Sequence, residues 1–132
     1  MADSAKKILV VDDEPDAVAG VTAMLQAGGY EVCSAANGEE GLAAARERNP
    51  DLILLDLQMP VKDGFETFGD LKQDDALKSI PVVFLTGIGG KTKMGISAEM
   101  MGEILGSEPE GYLEKPVDPD HLVRTIRGVL GG

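Results

Sequence analysis

The sequence predicts an α/β fold: a five-stranded parallel sheet, doubly wound, with helices on both faces. Three observations predict it. First, the runs Ile8-Leu9-Val10-Val11, Leu52-Ile53-Leu54-Leu55 and Val82-Val83-Phe84-Leu85 are short and apolar throughout. That is the pattern of strands buried on both faces, and hence of a parallel sheet. Second, stretches with apolar residues at helical spacing separate the runs, so strand and helix alternate along the whole chain. Third, the runs end in polar residues: Asp12-Asp13, Asp56, Thr86 and, after Tyr112-Leu113-Glu114, Lys115-Pro116. Ligands of such sheets sit beyond the carboxyl ends of the strands, so these side chains should meet on one rim.

The first strand is read over 8–12. Glu14-Pro15 opens a helix, because proline suits a first turn and acids complement the positive end of the helix dipole. Val18, Val21 and Leu25 share its inner face, and Gly28-Gly29 stops it. Tyr30 to Ala35 alternates and reads as a second strand. Asn37 with Glu40 forms a capping box for a helix carrying Leu42, Ala43, Ala44 and Ala45, which Asn49-Pro50 ends. The third strand is 51–56. Met59-Pro60 and Asp63-Gly64 mark a turn, after which Phe65, Phe68 and Leu71 share one helical face. The fourth strand is 80–86, with Pro81 tolerable at its start, and the fifth is 111–115. Asp118 caps a last helix with Pro119 at its first position, and Leu122, Val123, Ile126, Val129 and Leu130 form its buried stripe. Between the last two strands, Met94, Met100, Met101, Ile104 and Leu105 indicate a helix. Gly95 and Gly102 each cost it about 1 kcal/mol, so the segment 87–106 is expected to be the least rigid.

A length of 132 residues suits one domain with a full core. An apolar content of 43% with 27% charged residues describes a soluble globular chain. The net charge of −11, from 12 basic and 23 acidic residues, argues against binding to nucleic acid or to anionic membranes. Residues 1–7 lead into only four apolar residues, too few for a signal peptide or a spanning helix. The one cysteine, Cys33, reads as a small buried hydrophobe in a strand and excludes a disulfide framework. A cytoplasmic location is expected.

The rim chemistry has a direction. Two carboxylates about 4 Å apart repel by roughly 4 kcal/mol at an effective dielectric near 20. Three converging acids therefore call for a cation, and Mg²⁺ suits one or two carboxylates with exchangeable waters. A hydroxyl and an ammonium beside them suit an anion with three oxygens, such as a phosphoryl group, which a positioned carboxylate can accept.

Taken in order, Val11-Asp12-Asp13-Glu14, Asp56 followed by Met59-Pro60 and Asp63-Gly64, Thr86-Gly87, and Tyr112-Leu113-Glu114-Lys115-Pro116 resemble the response-regulator receiver domain, the phospho-acceptor module of two-component systems. The resemblance covers roughly residues 7–130. It implies a flavodoxin-like fold with strand order 2-1-3-4-5, in one domain over 1–132. It implies that Asp56 accepts a phosphoryl group from a histidine kinase or phosphotransfer protein in a Mg²⁺-dependent reaction. Asp13 corresponds to the direct metal ligand, Asp12 to a ligand acting through water, and the Gln58 backbone carbonyl completes the metal site. Thr86 and Lys115 hold the phosphoryl oxygens, and Tyr112 takes the place of the aromatic switch residue. The output is expected to be a downstream protein partner docking on the 86–130 face, with no direct nucleic-acid or membrane binding and no enzymatic turnover.

The switch is energetically feasible. Two hydrogen bonds from Thr86 and Lys115 to the new charge, at roughly 1.5–3 kcal/mol each, supply about 3–6 kcal/mol. Inverting a population from 1:99 to 99:1 needs about 5.5 kcal/mol. Movement of Thr86 would vacate space for Tyr112. The stretch from Thr86 to Lys115 is several residues longer than the family usually has, so the resemblance carries least there. Gln58 and Ile88 occupy the two positions that tune phosphoaspartate hydrolysis in the family. Ile88 offers no polar group to water, so a long-lived phosphorylated state is expected. With the last helix ending just before Gly131-Gly132, a stand-alone regulator or a piece of a larger protein is expected.

Three rival readings stand beside this one. Gly90-Lys91-Thr92 after a strand resembles part of a P-loop, but Leu85 stands where that motif needs glycine. An aspartate-nucleophile phosphatase of the haloacid dehalogenase type would need D-x-D at the first strand, where Asp12-Asp13-Glu14 stands. A receiver-like binding module without phosphorylation would have no use for the full set of acids, Thr86 and Lys115. Asp12, Asp13 and Glu14 could be mere helix-end acids, but acids packed at a strand end beside Asp56 need a further reason. Elsewhere the bland readings hold: Asp74-Asp75 as a solvated loop, His121 as a surface residue, and Met94, Met100 and Met101 as packing.

Overall fold

Successive strand residues must face opposite sides of a sheet, and here both sides are covered. A computed structural model describes residues 6–56, 64–86, 110–114 and 117–131, and only the backbone of Gly64, Phe65 and Thr86. Its elements are β1 (Lys7–Val11), α1 (Pro15–Ala27), β2 (Glu31–Ala35), α2 (Gly38–Arg48), β3 (Leu52–Asp56), α3 (Gly64–Gln73), β4 (Val82–Thr86), β5 (Gly111–Glu114) and α4 (Pro119–Leu130). The strands form one parallel sheet in the order β2-β1-β3-β4-β5. Leu9, Val11, Ile53, Leu55, Val82 and Phe84 pack with Leu42 and Ala45 of α2 and Phe68 and Leu71 of α3. Ile8, Val10, Leu52, Leu54, Val83 and Leu85 pack with Val21 and Leu25 of α1 and Leu122 and Ile126 of α4. The Phe68 and Phe84 rings meet edge to face, 4.9 Å apart at 79°, a geometry that adds to plain area burial.

The expected strands all form, with ends that differ by a residue or two for identifiable reasons. β1 ends at Val11 rather than Asp12, because the Asp12 carboxylate accepts the Glu14 amide at 3.0 Å and the chain turns away. β2 begins at Glu31 rather than Tyr30, because the Tyr30 amide still donates to the Leu25 carbonyl at the end of α1. β3 begins at Leu52: Asp51 instead clasps Lys7, its side chain accepting the Lys7 amide and its own amide donating to the Lys7 carbonyl, both at 2.7 Å. β4 begins at Val82, since Pro81 has no amide and the Ile80 amide closes a turn on Leu77. The described part of β5 is Gly111–Glu114, and the helix predicted within 87–106 lies outside the described residues.

The helix signals work as local chemistry. Pro15 starts α1, and Gly29 beyond its end takes φ 92°, a left-handed conformation suited to glycine. The Glu40 amide donates to Asn37 Oδ1 at 2.9 Å. The return arm of the predicted capping box is shifted by one residue: the Glu40 carboxylate accepts from the Ala36 amide and the Asn37 side chain, not from the Asn37 amide. Asp118 accepts the His121 amide at 2.9 Å, with Pro119 first in α4. In α4, Leu122 and Ile126 are buried while Val123, Val129 and Leu130 are only partly so. Phe68 and Leu71 lie in the core as expected, while the Phe65 side chain lies outside the described set.

Two readings need correction. Cys33 is half-buried rather than buried, because β2 is an edge strand whose outer side is only partly covered. Its thiol lies 3.8 Å from the Ile8 carbonyl, and burial pushes its pKa up. Asp74 is not simply solvated. Its carboxylate accepts the Ala76 amide at 2.8 Å and binds Arg46 of α2 at 3.1 Å, and these contacts hold its pKa below the ordinary value. Asp75 beside it is exposed. Among the described residues, no helix is long and apolar enough to cross a membrane.

Candidate functional site

Register brings the first two acids together. Val11 of β1 pairs with Leu55 of β3, so Asp12 and Asp56, each the next residue, leave adjacent strands at the same level. Both are buried, with 2% and 3% of their surfaces exposed. Asp13 and Glu14 follow Asp12 as the chain turns into α1, Asp13 partly exposed and Glu14 exposed. One carboxylate oxygen from each of Asp12, Asp13, Glu14 and Asp56 lies within 4.8 Å of the others. At that spacing each like-charged pair repels by roughly 3–4 kcal/mol at an effective dielectric near 20. The helix-end benefit of an acid, about 0.3–1 kcal/mol, cannot offset this. These acids are therefore not explained as ornaments of the α1 N-terminus.

The donor set is all oxygen, two members are buried, and two reach solvent. That chemistry fits a hard divalent cation with room for water, and not a soft metal seeking thiolate or imidazole. Asp12 Oδ1 is already engaged by the Glu14 amide, which fixes the orientation of its carboxylate. A shallow groove lined by Asp12, Asp13, Pro15, Val18 and Ser34 opens beside the cluster, so the rim is accessible from the α1 side.

The sequence-predicted residues divide into three groups. Asp12, Asp13 and Asp56 are brought together. Thr86 ends β4 one residue beyond Leu85, the partner of Asp56, and pairs with Glu114; its side chain, like Gln58 and Lys115, lies outside the described residues. Tyr112 is half-buried in β5, its ring 6.0 Å from that of Phe84 at 71°. The sequence places Glu14 at the start of a helix, and the structure adds it to the cluster. The available signal was its position two residues after Asp12, at a turn short enough to fold back.

The chain matches the response regulator receiver domain family over residues 8–127. It belongs to that family. It is 39% identical to protein PilH of Pseudomonas aeruginosa over 126 residues, which cover 96% of this chain and 98% of PilH. It is 34% identical to the polar-differentiation response regulator DivK of Brucella anthropi, over 96% of this chain and 97% of that one. It superposes on the solved structure of the Vibrio cholerae chemotaxis protein CheY4 with a TM-score of 0.81 and 35% identity, covering 96% and 99% of the two chains. Longer transcriptional regulators also match, and the chain spans about half their length. Receiver domains are phosphorylation-controlled signalling switches of two-component systems rather than ordinary enzymes, and they interact with histidine kinases or phosphotransfer proteins. The strand order expected from the resemblance is the one observed.

Proposed function

We propose that Asp56 is the phospho-acceptor of this receiver domain and that the acid cluster holds Mg²⁺ beside it. A carboxylate oxygen of Asp56 attacks phosphorus, a bond from oxygen to phosphorus forms, and the bond from phosphorus to the donor histidine nitrogen breaks with its electron pair left on the imidazole. Asp13 is the direct metal ligand, and Asp12, held by the Glu14 amide, acts through water; the Gln58 carbonyl completes the site. When bound, the cation screens the carboxylates and neutralises charge on the incoming phosphoryl oxygens. Lys115 and Thr86 take the remaining oxygens, and the Thr86 displacement is relayed to Tyr112, whose ring borders the core at Phe84. The 86–130 face then changes its affinity for a downstream protein. The chain acts in the cytoplasm as one receiver domain over 1–132, taking up and losing its own phosphoryl group rather than turning over a substrate.

The observation that carries this reading is the convergence of four carboxylates, two of them buried, on the carboxyl rim of a parallel sheet. Intact-mass measurement after incubation with acetyl phosphate and Mg²⁺ tests it. The native chain should gain one phosphoryl mass and Asp56→Asn should gain none. Labelling of Asp56→Asn to the native extent, or no labelling of the native chain, would remove Asp56 from the role.

A further inference from the structure

We propose that Glu110 is a positioning residue. Its carboxylate closes the ladder between β4 and β5 and so fixes the level at which β5 presents Tyr112 beside Phe84 and runs on to Lys115. The consequence for phosphorylation rests on the reading of the site given above. β5 is weakly held by its neighbours: its described part is short, it lies at the sheet edge, and it pairs only with β4. Residues 87–110 separate it from β4. The closure entropy of so long a connection hardly differs between registers one residue apart. Yet a slip of one residue would turn every side chain of β5 to the other face. Tyr112 would leave Phe84, whose ring lies 6.0 Å away. Leu113 would leave the core it shares with Leu85, Leu122 and Ile126.

Glu110 supplies the missing constraint. Its amide donates to the Val82 carbonyl at 2.8 Å, and its carboxylate accepts the Val82 amide, also at 2.8 Å. One residue thus meets both backbone groups of Val82, and its side chain stands in for the backbone carbonyl that a longer ladder would offer. The pairing then runs from Val83 with Gly111 up to Thr86 with Glu114, and Lys115 is the next residue. A slip of one residue would move Glu110 along Val82 by about 3.3 Å, too far for either bond to survive. Asp51 clasps Lys7 in the same way, with both bonds at 2.7 Å, but β3 is already held between β1 and β4. At β5 the clasp has no second neighbouring strand to support it.

The experiment uses the full chain as native protein, Glu110→Ala, Glu110→Gln and, as a control, Glu47→Ala, which removes an exposed acid of α2. Amide hydrogen exchange is followed by NMR without any phosphodonor. In Glu110→Ala the Val82 amide should exchange about 10–100-fold faster, measured against the Leu9 and Leu54 amides of the inner strands. Glu110→Gln keeps a carbonyl that can accept the same amide and should recover most of the protection; Glu47→Ala should match the native chain. With acetyl phosphate and saturating Mg²⁺, Glu110→Ala should label about tenfold more slowly. Its Mg²⁺ affinity by titration calorimetry should stay within about twofold of native, because the acids stand on β1 and β3. A role confined to stability would leave the labelling rate of the folded variant unchanged. Native-like protection of Val82 in Glu110→Ala overturns the proposal, as does native-rate labelling by that variant or an equal loss in Glu110→Gln. A native chain that takes no label would sink the Asp56 reading alone, and the exchange data would still decide whether Glu110 sets the register.

Discussion

Two glycines inside helices should respond to alanine with opposite signs. Gly20 lies in the middle of α1, and a Cβ built there meets nothing within 4 Å. Alanine is about 1 kcal/mol better than glycine in a helix interior, so Gly20→Ala should stabilise the fold by about 1 kcal/mol, or about 3–5 °C for a chain of this size. Gly41 lies in α2, and a Cβ there would sit 3.0 Å and 3.1 Å from the two γ-carbons of Val11. Val11 is 1% exposed on an inner strand, and as a β-branched residue it is restricted at χ1, so it has little freedom to give way. Overpacking of this kind costs about 1–3 kcal/mol. Set against the same helix gain, Gly41→Ala should be destabilised by about 0–2 kcal/mol. The two variants should differ by about 1–3 kcal/mol, with α2 pushed away from the strand that delivers Asp12. Urea unfolding with a common slope measures both midpoints. Equal stabilisation by the two substitutions would refute the claim that α2 needs glycine to reach β1.

The remaining predictions concern the core, a charge clasp and the switch. Phe84→Ala removes a fully buried ring that touches Phe68 and Tyr112. It should cost about 3–5 kcal/mol in denaturant unfolding, and a loss below 1 kcal/mol would contradict the packing. The Asp74 pKa is lowered first by the Ala76 amide and then by Arg46, so its stabilising effect is present above the ordinary carboxylate pKa and fades as pH falls through the lowered value. Asp74→Asn should therefore melt below the native chain near neutral pH, with the gap closing as pH falls through the lowered Asp74 pKa; a gap independent of pH would remove the charge from the explanation. Ile88→Glu should shorten the lifetime of the phosphorylated chain severalfold by offering a polar group to the attacking water, and unchanged decay of the phosphoryl label would count against this role for Ile88.

Much of the fold was legible because it rests on local rules. The runs at 8–11, 52–55 and 82–85 are apolar on every residue, and only a sheet covered on both sides can bury them all. Pro15, Asn37, Asn49, Asp118 and Pro119 start or stop helices through bonds within a turn or two, so their meaning does not depend on the rest of the chain. The misreadings share a different cause. Asp74 looked like a solvated loop because its partner Arg46 is 28 residues away. Glu110 carried no signal at all, yet its carboxylate accepts the Val82 amide at 2.8 Å and its own amide donates to the Val82 carbonyl at 2.8 Å. Strand character suggests burial for Cys33 but does not reveal that its strand lies at the sheet edge.

By itself, the sequence determined the α/β class, the element types and the set of acids that had to share a rim, since periodicity, capping and strand-end position are properties of neighbouring residues. Tertiary structure decided the rest: the level pairing of Asp12 with Asp56, the addition of Glu14 to the cluster and the close approach of Gly41 to Val11. Those features depend on distances between segments far apart in the chain, and only the register of β1 against β3 and the seating of the helices on the sheet set them.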